Sequence, residues 1–392
     1  MDIPAQVIER ATKLRRDLHA HPEIAYEEQR TSEVIAAELR ELGIEHATGL
    51  AGGTGVLAWV PGKSEGEAIG LRTDIDALPI TEETGAPWAS TIPGRMHACG
   101  HDGHTAILLG TARNLVRLSS EEGLPRPVVM IFQPAEEGGG GAARMVEDGV
   151  LDGSVAPNRV ERIYGLHGWP HAPAGSVGTR PGPLLAASDR FEIEIEGEGS
   201  HAAWPQGSRD PIIAAAAVTT ALQTIVSRNC DPLDAAVVSV TVIEAGTTFN
   251  VIPRTARLRG TARSLVPEVR DLLEQRIDEI AAGIAGAHGC RANTDYLRGY
   301  PVTVNEPVAT GIFERIARDE VGDRHWFPVE RPVMGGEDFA YYGERIPACF
   351  FLLGQQGEDA DSMPPLHSPK YDFNDETLET GIRLMSRLAL DG

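Results

Sequence analysis

The run His97-Ala98-Cys99-Gly100-His101-Asp102-Gly103-His104 places one thiol and three imidazoles within eight residues. Cysteine thiolate and histidine nitrogen are ligands for borderline divalent metals. Cys99 and His101, two apart, can converge from a turn in which Gly100 takes dihedrals that other residues avoid. A second run, Gln133-Pro134-Ala135-Glu136-Glu137, is followed by four glycines and directly succeeds the apolar stretch Val128–Phe132. Adjacent carboxylates at a strand's C-terminal end lie where open α/β sheets place ligands. Their side chains diverge, so one can bind metal while the other serves as general base. His167 follows the apolar run Ile163–Leu166 and is expected at a strand tip. His367 sits in the proline-framed loop Pro364-Pro365-Leu366-His367-Ser368-Pro369. Asp74 and Asp76 close a further apolar run, placed either to orient metal ligands from behind or to cap a turn. Singly, each motif has a bland counterpart, such as a polar loop with chance histidines or a solvated glutamate pair. Together they offer five ligands: Cys99, His101, Glu137, His167 and His367. One zinc needs three or four; five with a bridging water suit two ions about 3.5–4 Å apart, an arrangement used for hydrolysis.

These residues need a scaffold, and the pattern predicts one. Ile3, Val7, Ile8, Leu14 and Leu18 recur at helical spacing up to Pro22, and a second helix is expected from about Thr31 to Gly43. Strands at Gly55–Val60, Ile69–Thr73, Val128–Phe132 and Ile163–Leu166 alternate with helices at Thr105–Leu118 (Asp102 as its cap) and Ala142–Asp148. Such alternation predicts an α/β layer around a buried sheet. The middle of the chain differs. Phe191, Ile193 and Ile195 alternate with glutamates, the period of a half-exposed strand. Helix Pro211–Val226, strands Val237–Ile243 and Thr255–Arg263, helix Pro267–Ala287 and strand Arg291–Arg298 complete a β-α-β-β-α-β order, the signature of a ferredoxin-like unit. A helix near Gly311–Val321 and the strand Ala348–Leu353 then resume the first pattern. The expected fold is therefore α/β: a mixed, largely parallel sheet flanked by helices, built from residues 1–183 and 299–392, with a ferredoxin-like domain inserted at 184–298.

Composition sets the outer bounds. At roughly 100–200 residues per domain, 392 residues suggest two domains, and 42% hydrophobic residues can build real cores. Thirty-five basic against 57 acidic residues give a net charge of −22. Such a surface repels phosphate backbones, which argues against a nucleic-acid partner. No apolar run near the roughly 18 residues of a membrane helix is evident, so no membrane partner is expected. The N-terminal stretch lacks the apolar core of a signal peptide. Four cysteines without paired spacing point to reduced thiols and a cytoplasmic protein.

The motifs together resemble the M20 family of metallopeptidases and amidohydrolases, most closely the subfamily of hippurate hydrolases, N-acyl-amino-acid amidohydrolases and plant auxin-conjugate hydrolases. The resemblance runs from Arg16-Asp17-Leu18-His19-Ala20-His21-Pro22-Glu23 through Arg72–Pro79, His97–His104 and Gln133–Gly138. It continues at Gly199–Ala203, Asn250-Val251-Ile252-Pro253, Gly335-Gly336-Glu337-Asp338-Phe339 and His367-Ser368-Pro369. It implies metal ligation by Cys99, His101, Glu137, His167 and His367, with Glu136 as general base. It implies two divalent ions per subunit, with manganese, zinc, cobalt and nickel all open. His201 matches a lid histidine that stabilises the transition state, often from a partner subunit, and Asn250 a lid residue near substrate. The inserted domain matches the lid, through which a homodimer is implied. The implied substrate is a small N-acyl amino acid, cleaved to a carboxylic acid and a free amino acid. Arg259, Arg263 and the backbone of Gly335 and Gly336 are candidates to meet its carboxylate. A dinuclear exopeptidase, cleaving dipeptides or acting as a carboxypeptidase, is the alternative. A non-catalytic protein with a structural metal is a second rival, but a closed site has no use for Glu136 beside Glu137.

Overall fold

The computed structural model describes residues 1–357 and 363–392. In chain order the elements begin α1 (Ala5–Ala20), α2 (Gln29–Glu41), β1 (Glu45–Leu50), β2 (Gly55–Val60), β3 (Ala68–Asp74), α3 (His101–Glu121), β4 (Val128–Gln133) and α4 (Gly141–Glu147). There follow β5 (Val160–Pro173), β6 (Val177–Thr179), β7 (Gly182–Leu185), β8 (Ala187–Glu196), β9 (Ser200–His201), α5 (Pro211–Arg228), β10 (Ala236–Ala245), β11 (Val251–Ile252) and β12 (Thr255–Ser264). The chain closes with α6 (Pro267–Ala287), β13 (Arg291–Tyr300), β14 (Thr303–Asn305), α7 (Pro307–Val321), β15 (Trp326–Pro328), α8 (Ala340–Gly343), β16 (Ala348–Gln356) and α9 (Leu378–Asp391).

Two compact units result. The first comprises Met1–Leu184, Val304–Arg331 and Asp338–Gly392; the second comprises Leu185–Thr303 with the short segment Pro332–Glu337. That segment, carrying Gly335 and Gly336, groups with the second unit because Ala186 N–H donates to the carbonyls of Val333 and Gly335.

The first unit is built on an eight-stranded sheet in the order β1-β2-β4-β3-β5-β16-β6-β15. The pairs β3–β4, β3–β5, β5–β16 and β6–β15 are parallel, and β1–β2, β2–β4 and β6–β16 antiparallel. This is the mixed, largely parallel sheet expected. Its central strands β3 and β4 are buried throughout, as strands covered on both faces must be. Helices α1, α3 and α9 pack together and join the core through Leu14, Ile107, Leu115, Ile382 and Leu388.

Two local expectations are corrected. Helix α3 starts at His101, not Thr105, and its N-cap is Gly100 at φ 87. Asp102 is therefore a buried first-turn residue rather than the cap. Strand β5 is 14 residues long, so His167 lies inside it and not at its tip.

In the second unit β8, α5, β10, β12, α6 and β13 form a four-stranded antiparallel sheet, β10-β12-β8-β13, with two helices. Phe191, Ile193 and Ile195 meet Val218 and Leu222 of α5 and Leu273 and Ile277 of α6 in one core. The opposite face carries a charge ladder in which Arg257 and Arg259 pair with Glu192. Helix α5, at 18 residues, is long and apolar enough to cross a membrane, contrary to the reading that no such run exists. Ala214, Val218, Leu222 and Ile225 of that helix are buried in the unit's core.

Helix α1 is tied to the start of α3 by buried charge. Asp102 Oδ2 lies 2.8 Å from His19 Nδ1 and 3.0 Å from Arg15 Nε, all three side chains being buried. Burial works against the His19 imidazolium, but the Asp102 carboxylate outweighs it, and the pKa rises to about 9. Burial likewise opposes ionisation of Asp102, yet Arg15 and His19 hold it below the usual carboxylate range. Because His19 titrates higher in the folded state than at its unfolded value near 6.5, its contribution is complete below about pH 6.5. It is lost as pH rises through about 9. At its fullest this is on the order of 3 kcal/mol. Thermal unfolding at intervals across that window should show the wild-type melting temperature falling more steeply than that of His19→Gln. Parallel curves would show that the pair contributes nothing.

Candidate metal centre

The site gathers where β3, β4 and β5 present their ends and middle to the N-terminus of α3. Parallel pairing sets Asp74 of β3 opposite Gln133 of β4, so the segments after both strands emerge side by side. From the first come Asp74 and Asp76; from the second come Glu136 and Glu137. Gly100 turns the chain so that Cys99 and His101 bracket the start of α3. Its left-handed backbone suits glycine, and a side chain there would meet the Tyr371 hydroxyl 2.9 Å away.

Each of the five expected ligands has its orientation fixed by the protein. His101 Nδ1 donates to the Asp76 carbonyl oxygen at 2.9 Å, with Asp76 Oδ1 at 3.2 Å. Its Nε2 is left buried without a hydrogen-bond partner. His167 Nδ1 donates to the Gly168 carbonyl at 2.8 Å and turns Nε2 to within 3.3 Å of Cys99 Sγ. Glu137 N–H donates to Asp76 Oδ2 at 2.9 Å, and Glu137 Oε1 lies 3.1 Å from His367 Nε2. His367 has a left-handed backbone at φ 64 and anchors its N–H on the Ala98 carbonyl. Its side chain is 52% exposed and forms the open side of the cluster.

Donor atoms of Cys99, His101 and His167 lie within 4.8 Å of one another, as do those of Cys99, Glu137 and His367. The two triads share Cys99. His101, Glu136 and Glu137 form a third such group. His104 stands close by but is closed off: Nδ1 bonds Asp74 at 2.7 Å and Nε2 accepts Gly168 N–H at 2.8 Å. Asp74 thus steadies the His167 strand through His104, while Asp76 grips both His101 and Glu137.

The electrostatics ask for cations. Burial, followed by the charges of Glu137, Glu136 and Asp74, pushes the Cys99 thiol well above its ordinary pKa. Burial acts against a charged His101, yet Asp74 and Asp76 overcome it and raise its pKa to about 10. Glu137 is lowered despite burial, by His367 and His101. Burial brings His167 down to about 3, keeping it neutral. A neutral imidazole, an orphaned buried nitrogen, a thiol and a carboxylate in overlapping triads form the donor set of a thiolate-imidazole metal site. The residues fit divalent ions.

Comparison with known proteins agrees. Residues 70–391 match the model of peptidase family M20/M25/M40. The chain belongs to this family. As an M20 member it is similar to an N-acetyl-L-cysteine deacetylase of Bacillus subtilis, at 45% identity over 88% of this chain and 80% of the relative. The IAA-amino acid hydrolase ILR1-like 4 of Arabidopsis thaliana is 40% identical over 96% of this chain and 84% of that one. Among solved structures, YXEP of Bacillus subtilis, described as a dinuclear metal-binding peptidase of family M20, superposes with a TM-score of 0.82. It is 36% identical, over 99% of this chain and 98% of the other. The M20 chain is accordingly an enzyme that hydrolyses amides.

The remaining expected site residues lie in the second unit. His201, in β9, is exposed; Ala203 N–H donates to its Nδ1 at 3.1 Å, which leaves Nε2 to carry the proton. Asn250 is exposed and accepts from Thr248 Oγ1 at 3.2 Å. Arg259 is engaged by Glu192 and Glu244. Arg263 donates to the carbonyls of Asp189 and Ala262. Gly335 and Gly336 are exposed. Glu28 lies outside the sequence motifs, and Arg72 and Asp338 lie within them without an assigned role. Arg72, fully buried, bonds Asp74 at 2.8 Å, Gln133 at 2.8 Å and Asp338 at 2.9 Å. A buried arginine within an apolar strand was the available signal.

Cys99→Ala should cost at least one bound ion per chain by elemental analysis of the gel-filtered protein. His104→Gln should keep the stoichiometry and weaken affinity by about 10–100-fold, the usual effect of disturbing a group behind a ligand. The reverse pattern would exchange the roles assigned to the two residues.

Proposed function

We propose that the protein hydrolyses the amide bond of N-acyl amino acids, releasing a carboxylic acid and a free amino acid. The observation that carries this is the buried Glu136 carboxylate beside two donor triads that share Cys99. The names of the similar deacetylase and conjugate hydrolase support the same substrate class. Cys99, His101, Glu137, His167 and His367 would hold two divalent ions, with manganese, zinc, cobalt and nickel compatible with the mixed sulfur, nitrogen and oxygen donors. Such ions would supply Lewis acidity and make a nearby water easier to deprotonate.

The protein's own groups do the rest. Glu136 takes one proton from the attacking water and delivers it to the departing amide nitrogen. Its neighbour Glu137 cannot share that task, being turned toward His367. His201, a donor at Nε2, meets the oxyanion that forms at the acyl carbon. Arg259, Arg263 and the backbone at Gly335 and Gly336 are the groups proposed for the substrate carboxylate, and Asn250 is proposed as a lid residue near the substrate. Arg259 must leave its glutamates to serve.

The inserted unit is read as the lid and as the face of a homodimer. Exposed Trp204, Phe249 and Val251 support self-association, Phe249 being 98% exposed. Cytoplasmic residence is supported by four cysteines that are all free thiols.

Glu136→Gln should lose on the order of 10²–10⁴ in kcat, the usual worth of a positioned general base, while retaining its metal. Near-wild-type turnover would sink the base assignment. Benzoylglycine, N-acetyl amino acids and dipeptides, tested on the metal-reconstituted enzyme, decide the substrate. Dipeptides turning over fastest would favour the exopeptidase reading. His201→Ala should lower kcat by roughly 10²-fold or more without loss of metal.

A further inference from the structure

The turn that carries Glu136 and Glu137 is held by its backbone. Three buried carboxylates each accept one of its N–H groups. Glu28 takes that of Ala135 at 2.9 Å, Asp76 that of Glu137 at 2.9 Å, and Asp338 that of Ala142 at 2.9 Å. Asp76 and Asp338 also face cationic side chains, His101 and Arg72. Glu28 does not share that reason for being there. Its other partners are the Thr54 hydroxyl, which donates to Oε2 at 2.8 Å, and its own backbone N–H. The side chain is fully buried, and burial pushes its pKa up to about 7. An apolar residue would sit there at less cost, so the carboxyl must serve something.

What it grips is Ala135, buried and at φ 55. An alanine in the left-handed region is strained and persists only where its surroundings fix it. Ala135 immediately precedes Glu136, and its dihedrals set the direction in which the Glu136 side chain leaves the turn.

We infer that Glu28 is a positioning residue for the amide hydrolysis: it locks Ala135 in the left-handed conformation and so aims Glu136. This rests on Glu136 being the base. Glu28 touches neither substrate nor metal ligand and acts through Ala135.

The test compares two substitutions. In Glu28→Gln the amide oxygen keeps the same reach and can still accept from Ala135. In Glu28→Asp the charge is kept but the reach is shorter by one methylene. The Gln variant should keep kcat within about threefold of wild type, and the Asp variant should lose about 10–100-fold with KM changed less than about threefold, as misaiming a catalytic group does. Metal content should stay full in both. In the Ala135→Gly background, where glycine adopts positive φ unaided, the Asp penalty should shrink several-fold. An Asp variant as active as the Gln variant overturns the inference. So does a kcat loss that tracks lost metal, or a penalty unchanged in the Ala135→Gly background. Glu136→Gln is assayed beside them. If it stays active, the base reading fails; if it is inactive while the Glu28 series is flat, only the positioning role fails.

Discussion

A carboxylate can be buried only where something positive or proton-donating stands against it. The first unit buries Asp74, Asp76, Asp102, Glu136 and Asp338 within a short stretch of structure, and its architecture follows from satisfying them. Arg15 and His19 answer Asp102. Arg72 answers Asp74 and Asp338 together. Backbone N–H groups of the 134–142 turn answer Asp76 and Asp338 again. The Cys99 thiol and the bare Nε2 of His101 are left without such an answer, and there divalent ions fit.

The same constraint explains why the two adjacent glutamates differ. Glu137 is drawn toward His367, and its backbone is fixed by Asp76. Glu136 is 6% exposed and meets the backbone N–H of Asp338 at a long 3.4 Å. One carboxylate faces His367 within the donor set, and the other is buried against the backbone of Asp338.

The parts of this fold legible from sequence are short apolar runs bounded by turn residues, as in β2, β3 and β4, and elements whose side chains alternate between two environments. Strand β8 showed itself through Phe191, Ile193 and Ile195 against glutamates, because one face meets helices and the other water. Helix α6 runs over the residues expected, Pro267–Ala287, since proline opens it and its apolar positions keep one face. Strand β5 resisted reading because it is largely buried and broken by Gly165, Gly168 and Pro170, so neither period nor composition marks its length. The sequence expectation does not extend to helix α9 or the edge strand β1, and the true start of α3 is hidden because Gly100, not a polar side chain, caps it. The candidate donors stand out for a different reason: thiol, imidazole and carboxylate are residue types suited to metal, and here they recur in several motifs.

Positioning groups carry no such mark. Glu28 lies 107 positions from Ala135 and reaches it through a backbone N–H, a group every residue but proline owns. Nothing in the residue types at either end announces the contact. The strain at Ala135 is equally silent, because alanine is not one of the residue types that signal positive φ. Chemistry in this protein is therefore written in side-chain identity, and aim is written in backbone geometry. The first can be read along a chain; the second exists only once β3, β4 and the start of α2 have been brought together.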